Sequence, residues 1–316
     1  MSEVAVIGAG AWGTALAIQA ARAGRSVVLW ARSPARLASR ENPRLSGFRL
    51  PDAVAITGEL PTAALVLLAV PLQYMRAVAA LLPPGGPLVV CAKGMEAGTH
   101  ALGLEVLAAV QPGRLAAVLT GPNFAHEVAA GLPAATVAAA VAASVREAVA
   151  AALGTPSFRI YGNDDPVGAE VGGAAKNVVA IAAGAVIGAG LGENARAALV
   201  TRGLAELARL AVALGGRADT IAGLSGLGDL MLTCAGAGSR NFSLGVALGR
   251  GEALDDVMGR RCSVTEGVAT APALIARAQE VGAELPICAI VAGVVTGQLT
   301  VPQAMDRLLS RPRKDE

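Results

Sequence analysis

The sequence predicts an α/β chain in which a doubly wound sheet comes first and an all-helical half follows. Three observations carry this. Short apolar runs alternate with helix-period segments as far as Tyr161, a glycine-rich turn joins the first run to the first helix, and after Tyr161 the strand-like runs stop. Most of the runs are continuously apolar rather than alternating, the mark of strands buried on both faces. Strands of that kind interleaved with helices make a mostly parallel sheet covered on both sides.

The expected strands, in order, are residues 4–7, 27–30, 65–70, 88–91, 117–119, 135–139 and 158–161. Helix-period segments between them include 13–23, 74–82 and 144–153. The turn cluster Gly162-Asn163-Asp164-Asp165-Pro166 ends this half, with Asp164 or Asp165 placed to cap the next helix. From Val167 onward the period is helical, broken by Gly215-Gly216, Pro286 and the glycines at 223–228, 236–238 and 249–251. The expectation is two domains, 1–163 and 164–316, in a chain long enough to bury two cores.

Composition excludes several classes. A net charge of +2 with dispersed basic residues gives no electrostatic footprint for nucleic acid. The chain is 54% hydrophobic and only 3% aromatic, so the cores are aliphatic. Mean hydropathy is +0.56, yet the most apolar window, 178–191, is flanked by Glu170, Lys176 and Glu193. At about 14 residues it falls short of the roughly 20 that a spanning helix needs, so a buried helix and no membrane insertion are expected. Met1-Ser2-Glu3 runs straight into a strand pattern with neither basic n-region nor apolar core, which reads as cytoplasmic. Cys91, Cys234, Cys262 and Cys288 are scattered and read as small buried thiols in a reducing compartment. His100 and His126 are the only histidines, which nearly excludes a histidine-based triad or metal site.

The turn Gly8-Ala9-Gly10-Ala11-Trp12-Gly13 is a G-x-G-x-x-G between a strand and a helix, the context that makes it a dinucleotide fingerprint. Gly8 permits the tight turn, Gly10 lets backbone approach a pyrophosphate, and Gly13 lets helix and strand pack closely. The helix N-terminus faces the phosphates. The first half is therefore a Rossmann-type sheet. At the end of the second strand, where NAD-selective folds carry Asp or Glu, stands Trp30-Ala31-Arg32-Ser33. Arg32 can pair with a 2′-phosphate, which favours NADP over NAD; an ordinary surface arginine is the alternative.

With no metal cluster and no paired carboxylates, the reaction must lean on this cofactor and one proton-carrying side chain. Lysine occurs only at Lys93, Lys176 and Lys314, every other basic residue being arginine. Arginine cannot exchange a proton near neutral pH, so the two internal lysines are candidates for sites that need a titratable amine. Lys176 lies early in the long second-half helix, and Gly173, Ala180 and Gly184 share its face, leaving room for a flat ring or a small substrate. Close helix packing with Lys176 in an ion pair is the competing reading. Lys93 and Gly121-Pro122-Asn123-Phe124-Ala125 each follow a strand, at the sheet end where ligands bind, and Gly121 would expose backbone amides. Asp229, with Thr233 one turn on, could orient an ammonium or a hydroxyl, or merely cap a helix after glycines. Ser239-Arg240-Asn241 opens a helix with a capping serine and a guanidinium fork, suited to a phosphate or equally to solvent.

Together these segments resemble bacterial NAD(P)-dependent glycerol-3-phosphate dehydrogenases. The resemblance runs in order through Gly8-Ala9-Gly10-Ala11-Trp12-Gly13-Thr14-Ala15-Leu16-Ala17, Leu29-Trp30, Ala92-Lys93-Gly94, Gly121-Pro122-Asn123-Phe124-Ala125, Gly172-Gly173-Ala174-Ala175-Lys176-Asn177, Gly192-Glu193-Asn194-Ala195-Arg196, Leu227-Gly228-Asp229-Leu230 and Ser239-Arg240-Asn241. It implies interconversion of dihydroxyacetone phosphate and sn-glycerol 3-phosphate, feeding phospholipid synthesis, by a homodimer. It implies Lys176 as proton carrier, assisted by Lys93 and Asp229. Lys93, Gly121, Asn123, Lys176, Asp229, Ser239, Arg240 and Asn241 would contact the phosphorylated substrate. Ala11, Trp12, Arg32, Lys93, Ala125, Arg240, Val264 and Glu266 would line the cofactor along with the fingerprint glycines. Two positions depart from the pattern: Asn123 stands where relatives carry Ser or Thr, and Ile187-Gly188 where Asp-Gly is common. Two rival readings are a hydroxyacid or sugar-acid dehydrogenase, which places Asn a turn after the lysine where Ala180 stands here, and a non-catalytic NADP sensor.

Overall fold

Among the described residues (2–236, 238–261 and 265–310 of the computed structural model), eight strands form one sheet in the order β3-β2-β1-β4-β5-β6-β7-β8. The strands are β1 (Ser2–Ile7), β2 (Val27–Trp30), β3 (Val54–Thr57), β4 (Ala63–Leu68), β5 (Leu88–Val90), β6 (Ala116–Thr120), β7 (Ala134–Ala139) and β8 (Phe158–Asn163). Between them lie α1 (Ala11–Arg22), α2 (Leu72–Ala79), α3 (Gly103–Val110), α4 (Ala125–Ala130) and α5 (Ala143–Leu153). Alternate residues of each strand feed opposite cores. Val4 and Val6 pack toward α1 and α5, whereas Ala5 and Ile7 pack toward α2 and α3. That two-sided burial is why the runs read as continuously apolar.

Two features differ from the sequence expectation. The strand β3 went unseen because it is a four-residue edge strand with only Val54 fully buried. The sheet is parallel except where β7 runs antiparallel to β6. The connection there, α4, has six residues and ends at Gly131 with φ 76°. At about 1.5 Å per residue it is too short to retrace β6 and start a parallel partner.

The remaining helices are α6 (Pro166–Gly188), α7 (Gly192–Ala213), α8 (Ala218–Ala222), α9 (Asp229–Cys234), α10 (Arg240–Gly249), α11 (Leu254–Gly259), α12 (Glu266–Glu280), α13 (Pro286–Val295) and α14 (Val301–Leu309). Asp165 caps α6, its Oδ1 accepting the Gly168 N–H at 2.9 Å. At 23 residues α6 is longer than the apolar window suggested and meets the length and composition of a membrane-crossing helix. However, 72% of its most apolar 18-residue stretch is buried inside the molecule, among α7, α9, α10, α12 and α13. Of the cysteines, Cys91, Cys234 and Cys288 are free and buried; Cys262 lies outside the described residues.

The axis of the second half is the contact between α6 and α10. Gly184 and Gly188 on α6 face Phe242 and Val246, while Gly245 and Gly249 on α10 face Ile181 and Ala185. A Cβ on any of the four would run into a backbone carbonyl of the other helix. Gly245→Ala gains about 1 kcal/mol of helix propensity. It must also push two helix backbones apart, an overpacking cost of about 3 kcal/mol. The expected result is a net loss of about 2 kcal/mol, read from the denaturant midpoint; an unchanged midpoint would show that the helices separate freely.

Candidate active site

The cofactor end is built where strand order reverses. The loops after β1 and β4 meet there, the switch point at which doubly wound sheets bind ligands. Gly8 has φ 115°, and a Cβ on it would lie 2.9 Å from the Ala69 carbonyl carbon and from the Val70 nitrogen, so only glycine fits. Gly13 packs against the Gly8 carbonyl. Gly10 is the extended N-cap of α1 and faces open space. No side chain caps α1 and no acid stands in its first turn, which leaves its N–H groups and positive dipole end for an anion. The Trp12 Nε1 is buried with no hydrogen-bond partner among the described residues. These features fit a dinucleotide pyrophosphate. Asn42 steadies the loop, donating to the Ala9 carbonyl at 3.0 Å and the Thr14 hydroxyl at 2.6 Å. Arg32 is exposed just past the carboxyl end of β2, and Ala125 opens α4. Val264 lies outside the described residues.

At the carboxyl ends of β5 and β6 the sheet meets α6 and α9. Asp229, fully buried at the start of α9, bridges the two internal lysines. One oxygen accepts from Lys93 Nζ at 2.5 Å and the other from Lys176 Nζ. Lys93 also donates to the Gly121 carbonyl at 2.9 Å, and Lys176 to the Thr233 hydroxyl at 2.7 Å. Thr233 must accept there, because its own hydrogen goes to the Asp229 carbonyl at 2.6 Å. An ammonium has three donors, so each lysine holds two of these bonds and keeps one N–H to offer.

The small residues near Lys176 do a different job from the one the sequence suggested. They do not leave room for a ligand; the structure fills that room with protein. A Cβ on Gly173 would lie 2.8 Å from Thr120 Oγ1 and 3.6 Å from Lys93 Cγ. A Cβ on Gly172 would lie 2.5 Å from the Ser225 carbonyl, Ala180 is fully buried, and Gly184 receives α10. These positions let Lys93 and the turn before Asp229 come close enough to reach the amine. Gly121 also differs in polarity from expectation, since it is its carbonyl that meets Lys93. Its φ of 150°, and a would-be Cβ 3.0 Å from Thr136 Cα, require glycine there.

Electrostatically the cluster carries two ammoniums and one carboxylate, with Lys176 and Asp229 buried and Lys93 partly so. Burial pushes the Lys176 amine down to about 8, Lys93 adds to the fall, and Asp229 opposes it. An amine in that range can both give and take a proton near physiological pH.

Around this core the other predicted residues divide into two groups. Ser239 caps α10, its hydroxyl accepting the Phe242 N–H at 3.2 Å, and Arg240 opens that helix at the surface. Glu266, the first residue of α12, lies close enough to Arg240 for the two charges to interact. Burial raises its carboxyl to about 7, against the Leu72 amide and Arg240, and its Oε2 is buried with no partner among the described residues. It sits over the turn after Lys93, 3.5 Å from where a Cβ on Gly94 would be. Asn123 and Asn241 are tied to protein instead. Asn123 Nδ2 donates to the Pro122 and Ala135 carbonyls, while Oδ1 is buried with no partner among the described residues. Asn241 donates to Asn177 Oδ1 at 2.9 Å and accepts the Gly267 N–H at 3.1 Å. Asn177 in turn donates to the Lys93 carbonyl at 3.3 Å. The sequence reading gave Asn42 and Asn177 no such roles, since each acts on a segment distant in the chain.

The family model for the NAD-dependent glycerol-3-phosphate dehydrogenase N-terminus matches residues 3–146, and that for the C-terminus matches 165–306. The chain is 56% identical over 319 residues to a glycerol-3-phosphate dehydrogenase [NAD(P)+] of Acidiphilium cryptum, covering 99% of this chain and 98% of the relative. It is 51% identical over 315 residues to the enzyme of the same name from Gluconobacter oxydans, covering 98% and 97%. The crystal structure of glycerol-3-phosphate dehydrogenase from Coxiella burnetii superposes with a TM-score of 0.93 at 35% identity, covering 98% of this chain and 99% of that one. Fingerprint, lysine pair and bridging aspartate thus stand in a chain matched nearly end to end, and the chain belongs to the NAD-dependent glycerol-3-phosphate dehydrogenase family.

Proposed function

We propose that this chain interconverts dihydroxyacetone phosphate and sn-glycerol 3-phosphate with NAD(P), with Lys176 as the proton carrier. The observation that carries the reading is the Asp229 bridge between Lys93 and Lys176 at the sheet end next to the glycine turn. Residues 1–163 hold the cofactor and 164–316 supply the substrate side, in keeping with a helical half that begins just after β8. When bound, the reduced nicotinamide supplies hydride to the central carbonyl carbon. Lys176 offers its remaining N–H to the carbonyl oxygen and gives up that proton as negative charge develops. Lys93 adds positive charge beside the same oxygen, and Asp229 holds both amines in place. In the reverse direction neutral Lys176 takes the hydroxyl proton. Arg240 and the Ser239-capped start of α10 take the phosphate, with Gly121, Asn123 and Asn241 shaping the wall behind it. Gly8, Gly10, Ala11, Trp12 and Gly13 cradle the pyrophosphate, and Ala125, Glu266 and Arg240 line the nicotinamide side.

Arg32, in a segment Trp30-Ala31-Arg32-Ser33 that contains no acid, supports a preference for NADP. Family resemblance supports a homodimer, a cytoplasmic location and supply of glycerol phosphate for phospholipids. The test is loss of nicotinamide absorbance with dihydroxyacetone phosphate, run separately with NADPH and NADH. Turnover faster with NADPH is expected; folded protein that binds NADPH without oxidising it would overturn the reading. Arg240→Ala removes charge-assisted bonds to phosphate worth about 1.5–3 kcal/mol, so KM for dihydroxyacetone phosphate should rise about 10- to 100-fold. An unchanged KM would take Arg240 out of the phosphate site.

A further inference from the structure

Glu170 carries a buried carboxyl that the reaction itself does not use. It lies on α6, six residues before Lys176, and is 8% exposed. Its Oε1 accepts the Leu104 N–H at 3.0 Å. Leu104 is the second residue of α3, and the N-cap position of α3 is held by Leu102, a side chain with no oxygen to offer. A helix start presents unpaired N–H groups and a positive dipole end. Here a carboxyl from another element, 66 residues along the chain, meets them. Gly103 makes that approach possible, since a Cβ on it would lie 3.0 Å from Glu170 Oε1 and 2.7 Å from Val90 Cγ1. Glu105 stands at the same helix start, its own carboxylate accepting the Leu102 N–H at 2.8 Å. Burial, with Glu105 adding to it, pushes the Glu170 carboxyl up to about 8.

The segment from β5 to α3 carries Lys93 near its start and Leu104 just past its end. Helix α6 grips both ends of it. Asn177, next to Lys176, donates to the Lys93 carbonyl at 3.3 Å, and Glu170 holds the start of α3. We propose that Glu170 is a positioning residue for the reaction, fixing the segment that carries Lys93 against α6 so that Lys93 and Lys176 meet on Asp229. It touches none of the three, so it acts only through them. The proposal rests on the roles given above to Lys93 and Lys176.

The test is a double-mutant cycle in the full chain, with Glu170→Ala made alone and on a Lys93→Ala background. NADPH binding, followed by fluorescence, reports the folded cofactor site. Glu170→Ala alone should lower kcat for dihydroxyacetone phosphate about 10-fold or more while leaving the NADPH dissociation constant within about twofold. Glu170→Gln keeps an acceptor oxygen at the same reach and should recover most of the rate. On the Lys93→Ala background the further loss should shrink to less than about twofold, because the group being positioned is gone. A general loss of structure would multiply through both backgrounds equally. Wild-type kcat in Glu170→Ala, or the same fold-loss with and without Lys93, would overturn the proposal. If Glu170→Ala does not fold, Glu170→Asp, one methylene short of Leu104, takes its place in the same cycle. A Lys93→Ala enzyme with wild-type kcat would instead sink the role given to Lys93.

Discussion

Lys176→Met is expected to lower kcat for dihydroxyacetone phosphate about a thousandfold, within the range for loss of a general acid, while leaving NADPH affinity unchanged. Lys176 is 6% exposed and, among the described residues, bonded to Asp229 and Thr233, away from the glycine turn proposed to hold the pyrophosphate. The same change should leave stability at pH 7 intact or raise it. Burial lowers this amine from 10.5 to about 8, so the charged form in the folded chain is disfavoured by about 3 kcal/mol. The sign follows from proton binding. Between about 8 and 10.5 the unfolded chain holds more protons on this group, so stability climbs with pH across that window, and below it the full penalty applies. Removing the amine removes the penalty, and Asp229 keeps Lys93 as a partner. Denaturation midpoints together with single-turnover rates check both halves. An active Lys176→Met enzyme, or one that has lost its fold, would contradict the assignment.

Asp229→Asn should have the second largest effect, and of a different kind. It leaves the buried Lys176 ammonium and the partly buried Lys93 ammonium without their shared carboxylate, and breaking a buried ion pair from one side costs about 3–5 kcal/mol. Asp229 raises the Lys176 amine, so without it that amine falls below about 8. The enzyme at pH 7 then holds less of the protonated form that carbonyl reduction needs. The expected outcome is a roughly 100-fold lower kcat at pH 7, with partial recovery toward acid, and a lower denaturant midpoint. A pH–rate profile superimposable on wild type would mean that Asp229 does not set the amine's affinity for its proton.

What the sequence made legible was local chemistry. The glycine fingerprint is contiguous, and its strand–turn–helix setting could be read from flanking residues. Scarcity of lysine singled out Lys93 and Lys176 because, apart from Lys314 in the tail, arginine had taken the other basic positions. For Asp229 the residues alone left open whether it orients an ammonium or hydroxyl or caps a helix, and only the resemblance gave it a role, since its partners are 53 and 136 residues away. Small residues on the face of α6 misled for a related reason. Glycine at a close helix contact and glycine beside a ligand look alike until the partner backbone is in place, and here α10 and Thr120 occupy that space. The orientation of β7 was hidden too, because parallel and antiparallel partners bury the same apolar run. Asn42, Asn177 and Glu170 act on segments 28 to 84 residues distant and left no local signal.

The most direct test of the account is the pH dependence of kcat/KM measured in both directions on one preparation, for the wild type and Lys176→Met. Reduction of dihydroxyacetone phosphate should fall as pH rises through about 8, and oxidation of glycerol 3-phosphate should rise through the same region, as expected if one amine with its proton affinity lowered to about 8 serves both ways. Both limbs should vanish from the residual activity of Lys176→Met. If the limbs persist in that variant, the proton travels through some other group, and the central claim fails.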